Sequence, residues 1–179
     1  MRQLTDGDRI RQFMRALGAE AEQDTRVYFT GGATAVLVGW RAMTIDVDLR
    51  LFPETDRLLQ ALPRLKEQLH MNLELASPAD FIPELPGWES RSVSIAREGH
   101  ITFYHYDFYA QALAKIERGH RQDLEDVRQM IQRGLVEPDR LRRHFDDMAP
   151  LLYRYPAIDP RSFRQALEDM LRNPETPNR

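Results

Sequence analysis

Residues 29–51 read FTGGATAVLVGWRAMTIDVDLRL, and the order of signals in that stretch decides the fold. Arg26 to Thr30 (RVYFT) reads as a short strand running into Gly31-Gly32. Ala33 to Val38 is apolar and compact, as a buried helix requires, and Gly39 ends it. Ile45 to Leu51 then alternates, with Asp46, Asp48 and Arg50 on one face and Ile45, Val47, Leu49 and Leu51 on the other. A glycine turn opening a helix presents backbone N–H groups to an anion. Two carboxylates on one strand face leave Cα atoms about 7 Å apart and suit an oxygen-liganded divalent cation. As anions held about 5 Å apart they repel by about 3 kcal/mol at an effective dielectric of about 20, and a bound cation removes that penalty. Each half has a plain alternative, a tight turn or two solvated acids at a strand end. Their succession favours a joint phosphate-and-cation site.

Working outward, Ile10, Phe13, Met14, Leu17 and Ala21 recur at helical spacing, with Asp6 or Asp8 available as a cap. Thr55 caps a helix striped by Leu58, Leu59, Leu62, Leu65 and Leu69, with Pro63 a candidate kink. Met71 to Leu75 reads as a third strand. From Ser77 to Arg91 the pattern dissolves into SPADFIPELPGWESR, a long loop that suits either a lid or a packed connection. Ser92 to Ala96 and Ile101 to Tyr106 form a hairpin signal, and Asp107 caps a helix through Ile116. A second helix follows Gly119 and stops at Gly134, and Pro138 and Pro160 suit first-turn positions of two more. The closing NPETPNR is expected to fray. The order predicts an α+β fold: a mixed sheet flanked by helices over residues 1–134, with a helical extension of the same domain over 135–179.

Composition removes several classes. The 179 residues contain no cysteine, which excludes disulfides, thiolate zinc sites and a thiol nucleophile. No apolar run reaches membrane-spanning length, and MRQLTDGDRIRQ does not read as a signal peptide, so a cytoplasmic setting is expected. A net charge of −3 argues against a generic nucleic-acid coat. His70, His100, His105, His120 and His144 show no paired ligand spacing and read as structural or exposed. Neither an acyl-transfer Gly-x-Ser-x-Gly elbow nor a Gly-x-x-x-x-Gly-Lys-Ser/Thr loop is present.

Gly31, Gly32, Asp46 and Asp48 resemble the signature of nucleotidyltransferases of the DNA polymerase β type: strand, Gly-Gly or Gly-Ser, helix, then an Asp-x-Asp strand. The chain is most similar to the bacterial branch holding the AbiEii and MenT toxins, which follows that core with a lysine and an Arg-x-Asp-Leu-x-Asp-like helix. ALAKIERGHRQDLEDV matches with Lys115, Arg121, Asp123 and Asp126, and the resemblance covers roughly Val27 to Val127.

The resemblance implies transfer of a nucleoside monophosphate from an NTP to a hydroxyl acceptor, a tRNA 3′ end or a protein side chain. It implies Mg²⁺ or Mn²⁺ at Asp46 and Asp48, phosphates cradled by Gly31 and Gly32, and Lys115 neutralising the triphosphate or the departing pyrophosphate. A cognate antitoxin is the implied partner. Gly32 stands where many members carry serine, so a side-chain contact to phosphate there falls to Thr30 or Thr34. Arg41 and Thr44 are candidates to orient a phosphate or brace the aspartates. Asp123 and Asp126, at i and i+3, bracket a cation or pair with Arg118 or Arg121. For a third metal-site carboxylate Glu74 is the best candidate, with Asp80 behind it. Residues 111–144 hold eight Lys/Arg against six Asp/Glu, a slight basic excess compatible with RNA. The alternatives are a non-catalytic nucleotide- or partner-binding module that retains the fold, and a structural interaction domain.

Overall fold

The computed structural model describes residues 3–173, so all of the expected frayed tail but Asn173 lies outside the described residues. The chain is α+β and divides into two compact units, residues 1–77 with 92–106 and residues 78–91 with 107–179. The first unit contains β1 (Thr5–Asp6), α1 (Gly7–Gly18), β2 (Thr25–Thr30), α2 (Gly31–Val38), β3 (Met43–Thr44), β4 (Asp46–Phe52), α3 (Asp56–Gln68), β5 (Asn72–Leu75), β6 (Val93–Glu98) and β7 (Ile101–His105). Five strands form one mixed sheet in the order β5-β4-β2-β7-β6. β4 runs antiparallel to β2, while β5 and β7 lie parallel to β4 and β2. β1 and β3 form a separate two-stranded pair in which Thr5 faces Thr44.

Alternation dictates which sheet face is apolar. Val27, Phe29, Val47, Leu49, Leu51, Leu73 and Phe103 share a buried core with Ile10, Phe13 and Leu17 of α1 and Leu58, Leu62 and Leu65 of α3. Each such side chain contributes about 1.5–3 kcal/mol by leaving water. Register is thereby fixed, since a one-residue slip of β4 would bury Asp46, Asp48 and Arg50 in that core. Asp6 caps α1 by accepting from Arg9 N at 3.0 Å, and Thr55 caps α3 by accepting from Leu58 N at 3.4 Å. α3 continues through Pro63, which stays on its exposed side.

Two local expectations are corrected. Ile45 does not join the core face of β4: it lies between β3 and β4 and is 39% exposed, because β3 pairs with β1 and the sheet strand begins only at Asp46. The 77–91 stretch is also not featureless. It holds a 3₁₀ turn at Pro78–Asp80 and the short helix α4 (Trp88–Arg91), with Ile82, Leu85 and Trp88 buried.

The second unit adds α5 (Phe108–Arg118), α6 (Arg121–Gln132), α7 (Pro138–Met148), a 3₁₀ segment at Ala149–Arg154 and α8 (Pro160–Arg172). α5 is its hub. Every residue from Phe108 to Ile116 is buried, and the helix packs on α6, α7, α8 and the 78–80 turn. These helices and the 78–91 segment together make up the second unit. No described helix is long and apolar enough to cross a membrane.

Candidate active site

The glycine turn and the carboxylate strand are neighbours in the sheet. Antiparallel pairing sets Thr30 opposite Asp48, and Gly31 follows at φ +61°. A side chain at position 31 would be strained in that left-handed conformation, and its Cβ would sit 2.8 Å from Asp48 Oδ2. The carboxylate thus approaches the turn as closely as the missing side chain permits. Thr30 enters α2 in extended conformation and makes no side-chain cap, so its hydroxyl does not occupy the helix amide end.

Gly32 is required for a different reason. A Cβ there would lie 1.9 Å from Thr44 Oγ1 and 3.2 Å from Arg41 Nη1. Thr44 is buried, and its hydroxyl donates to the Asp46 carbonyl at 3.0 Å. Gly31, Gly32, Arg41, Thr44 and Asp48 therefore come together. The hydroxyl that fills the space beside Gly32 is that of Thr44.

Parallel pairing of β4 with β5 sets Asn72 beside Asp46 and Glu74 beside Asp48. Asn72 Nδ2 donates to Asp46 Oδ1, and to Glu74 Oε1 at 3.2 Å. One amide thus serves two carboxylates. Asn72 escaped the sequence reading. Its signal is the two-residue period of β5, which places it on the same face as Glu74 once the pairing with β4 is known.

Thr34 lies beneath this arrangement. It is fully buried, and its hydroxyl donates to the Phe29 carbonyl at 3.3 Å and lies 3.1 Å from His105 Nδ1. Burial pushes His105 down from its ordinary 6.5 to about 4, so the imidazole is neutral at pH 7. His105 is the second residue that sequence reading left without a role, because a lone histidine on an apolar strand gives no hint of its partner.

Asp46 and Asp48 carry oxygen donors of the kind a small hard cation takes. Among the described residues no group of three or more His, Cys, Asp or Glu is arranged to hold a metal, so the donor set reduces to Asp46 and Asp48, with Glu74 tied to Asp46 through Asn72. Mg²⁺ ordinarily takes one or two carboxylates and completes its octahedron with phosphate and water.

Within the second unit Lys115 is buried. Its amine bonds Asp123 Oδ1 at 3.1 Å and Asp126 Oδ2 at 2.8 Å. Arg118, rather than Arg121, reaches Asp123, at 3.5 Å. Asp80 is exposed at the end of the 3₁₀ turn Pro78–Asp80, whose Pro78 is buried. A concavity of about 280 Å³ lined by Gln23, Thr25, Thr55 and Arg57 lies at the opening end of β2, six residues from Gly31, and contains none of the site residues.

Comparison with curated proteins and with solved structures gave no match. Residues 8–170 match the family described as "Nucleotidyltransferase of unknown function (DUF6036)". Since that match spans most of its length, the chain belongs to this nucleotidyltransferase family.

Proposed function

We propose that this chain moves a nucleoside monophosphate from an NTP to a hydroxyl acceptor in a reaction dependent on Mg²⁺ or Mn²⁺. The observation that carries the reading is the pairing of Thr30 with Asp48, which sets the Gly31 turn 2.8 Å (measured from its would-be Cβ) from a carboxylate oxygen. Gly31 and Gly32 offer backbone N–H groups, and the positive end of α2, to the phosphates. Arg41 and Thr44 brace that turn against the strand. Asp46, oriented by Asn72, and Asp48 would hold the cation. When bound, the cation neutralises triphosphate charge while the acceptor oxygen bonds the α-phosphorus and pyrophosphate departs. The acceptor's proton leaves to water.

On the pattern of the AbiEii and MenT branch, Lys115 is the candidate for the charge of the leaving pyrophosphate; within its own unit its amine is bonded to Asp123 and Asp126. A tRNA 3′ end or a protein hydroxyl is the acceptor class, and a toxin acting with a cognate antitoxin is the biological setting, on the pattern of the AbiEii and MenT branch. The test incubates purified protein with each labelled NTP, Mg²⁺, and total tRNA or lysate protein. Label transfer is expected, and it disappears in the Asp46→Ala/Asp48→Ala variant. A second reading, a nucleotide-binding module without catalysis, is favoured by the donor set of only two aspartates. It predicts stabilisation by Mg²⁺–NTP with no transfer to any acceptor.

A further inference from the structure

The carbonyl oxygen of Phe29 anchors three elements at the root of the glycine turn. It accepts the Tyr106 N–H at 2.8 Å, from the end of β7, and the Thr34 hydroxyl at 3.3 Å, from the first turns of α2. The same oxygen belongs to β2, two residues before Gly31. A hydroxyl has one proton to give. Since Thr34 donates it to Phe29, the 3.1 Å contact with His105 requires Nδ1–H of the imidazole to donate to Thr34 Oγ1. The result is a directed relay, His105 to Thr34 to the Phe29 carbonyl, sealed from water: His105 is 8% exposed and Thr34 not at all.

That relay has leverage over the turn. Phe29 and Thr34 bracket Thr30, Gly31, Gly32 and Ala33, so a bond between them closes the loop that aims the glycine amides. Glycine supplies no side-chain packing of its own to hold the aim. Thr44 and Arg41 press on it at Gly32, and the buried histidine is placed to hold it from beneath.

We propose that His105 is a positioning residue for nucleotide binding: acting through Thr34, it fixes the direction in which the Gly31 and Gly32 N–H groups meet the phosphates. The proposal rests on the nucleotidyltransferase reading above and adds a role for a residue outside the phosphate and cation sites. A histidine that only fills the core would leave the turn's geometry untouched when replaced by an apolar residue.

The experiment compares wild type with His105→Leu, Thr34→Val, the double variant, and the conservative His105→Asn and Thr34→Ser, each as the full chain. The first readout, in ligand-free protein, is amide hydrogen exchange at Gly31 and Gly32. The second is affinity for Mg²⁺ with each of the four non-hydrolysable NTP analogues. His105→Leu and Thr34→Val are each expected to speed exchange at the two glycines and to weaken nucleotide binding by about tenfold, the worth of one buried hydrogen bond. The double variant should be no worse than either single one, because both break the same relay. His105→Asn keeps a donor near the Nδ1 position, and Thr34→Ser keeps the hydroxyl. Both should stay near wild type, which separates loss of the relay from general unfolding. The proposal is overturned if the Leu and Val variants lower the melting temperature yet leave glycine exchange and nucleotide affinity unchanged. A wild type that binds none of the analogues overturns the nucleotide reading itself, while the exchange data still decide whether His105 holds the turn.

Discussion

Gly32 and Thr44 occupy one space between them. The Thr44 hydroxyl lies 1.9 Å from where a Cβ at position 32 would be, and the Thr44 Cβ lies 2.7 Å from it. Gly32→Ala should therefore cost about 1–3 kcal/mol through overpacking. In a Thr44→Ala background the cost should fall, since the closest atom is gone. Urea denaturation of the four proteins of that cycle measures the coupling, and strict additivity would show that the two residues do not compete. His105 makes a prediction in pH. Its folded-state value near 4 lies below the ordinary 6.5, so between those values the unfolded chain binds more protons. Stability from this group is complete above about pH 6.5 and is lost as pH falls toward 4, by up to about 3 kcal/mol. Comparing wild type with His105→Asn at pH 7 and pH 5 cancels the carboxylates common to both. The variant should lose less stability on acidification. Equal losses would show that His105 titrates normally.

Helix pairing decides the state of Lys115. Gly119 turns the chain at φ +68°, so α6 folds back on α5 and brings Asp123 and Asp126 to the lysine amine. Lys115→Met would leave two buried carboxylates without their cation, and a loss of about 3–5 kcal/mol is expected. Adding Asp126→Leu should restore part of it by removing one stranded charge. Thermal or urea melts of the single and double variants check this. A double variant less stable than the single one would mean the triad is not the seat of the effect. The same triad explains why a lysine flanked by Ala112, Leu113, Ala114 and Ile116 is tolerated in a buried helix. Its charge is matched from the neighbouring helix, a pairing that the spacing of Asp123 and Asp126 makes legible only once α5 and α6 are seen to be adjacent.

At the scale of the molecule, the chain passes between its two units three times, after 77, 91 and 106. Segment 78–91 is secured within the helical unit by Arg91, whose guanidinium bonds Asp107 Oδ2 at 2.7 Å and 3.1 Å. Asp107 is fully buried and also caps α5 by accepting from Tyr109 N at 3.2 Å. Asp107→Ala removes cap and counter-charge together and should cost about 3 kcal/mol. Asp107→Asn retains the cap acceptor and should cost less. Hydrogen exchange across 78–91 should rise in the order wild type, Asn variant, Ala variant. Unchanged protection in the Ala variant would show that Arg91–Asp107 does not retain the segment.

Periodicity and punctuation are local properties, and the sequence carried them openly. The strand ending on Gly31-Gly32, the Gly39 stop, the Thr55 and Asp107 caps, and the shared face of Asp46, Asp48 and Arg50 all follow from spacing that a chain cannot hide, while the choice of Asp6 over Asp8 as the first cap came from the structure. Register and burial depend on residues far apart in the chain, and these the tertiary structure alone decided. Asn72 meets Asp46 across 26 residues, and His105 meets Thr34 across 71. Ile45 is turned out of the core because β3 finds β1. Segment 78–91 joins helices that begin at Asp107 because a buried carboxylate there needs a cation. Hydrogen bonds and ion pairs of that range reflect the strand order β5-β4-β2-β7-β6, which no local alternation of side chains encodes.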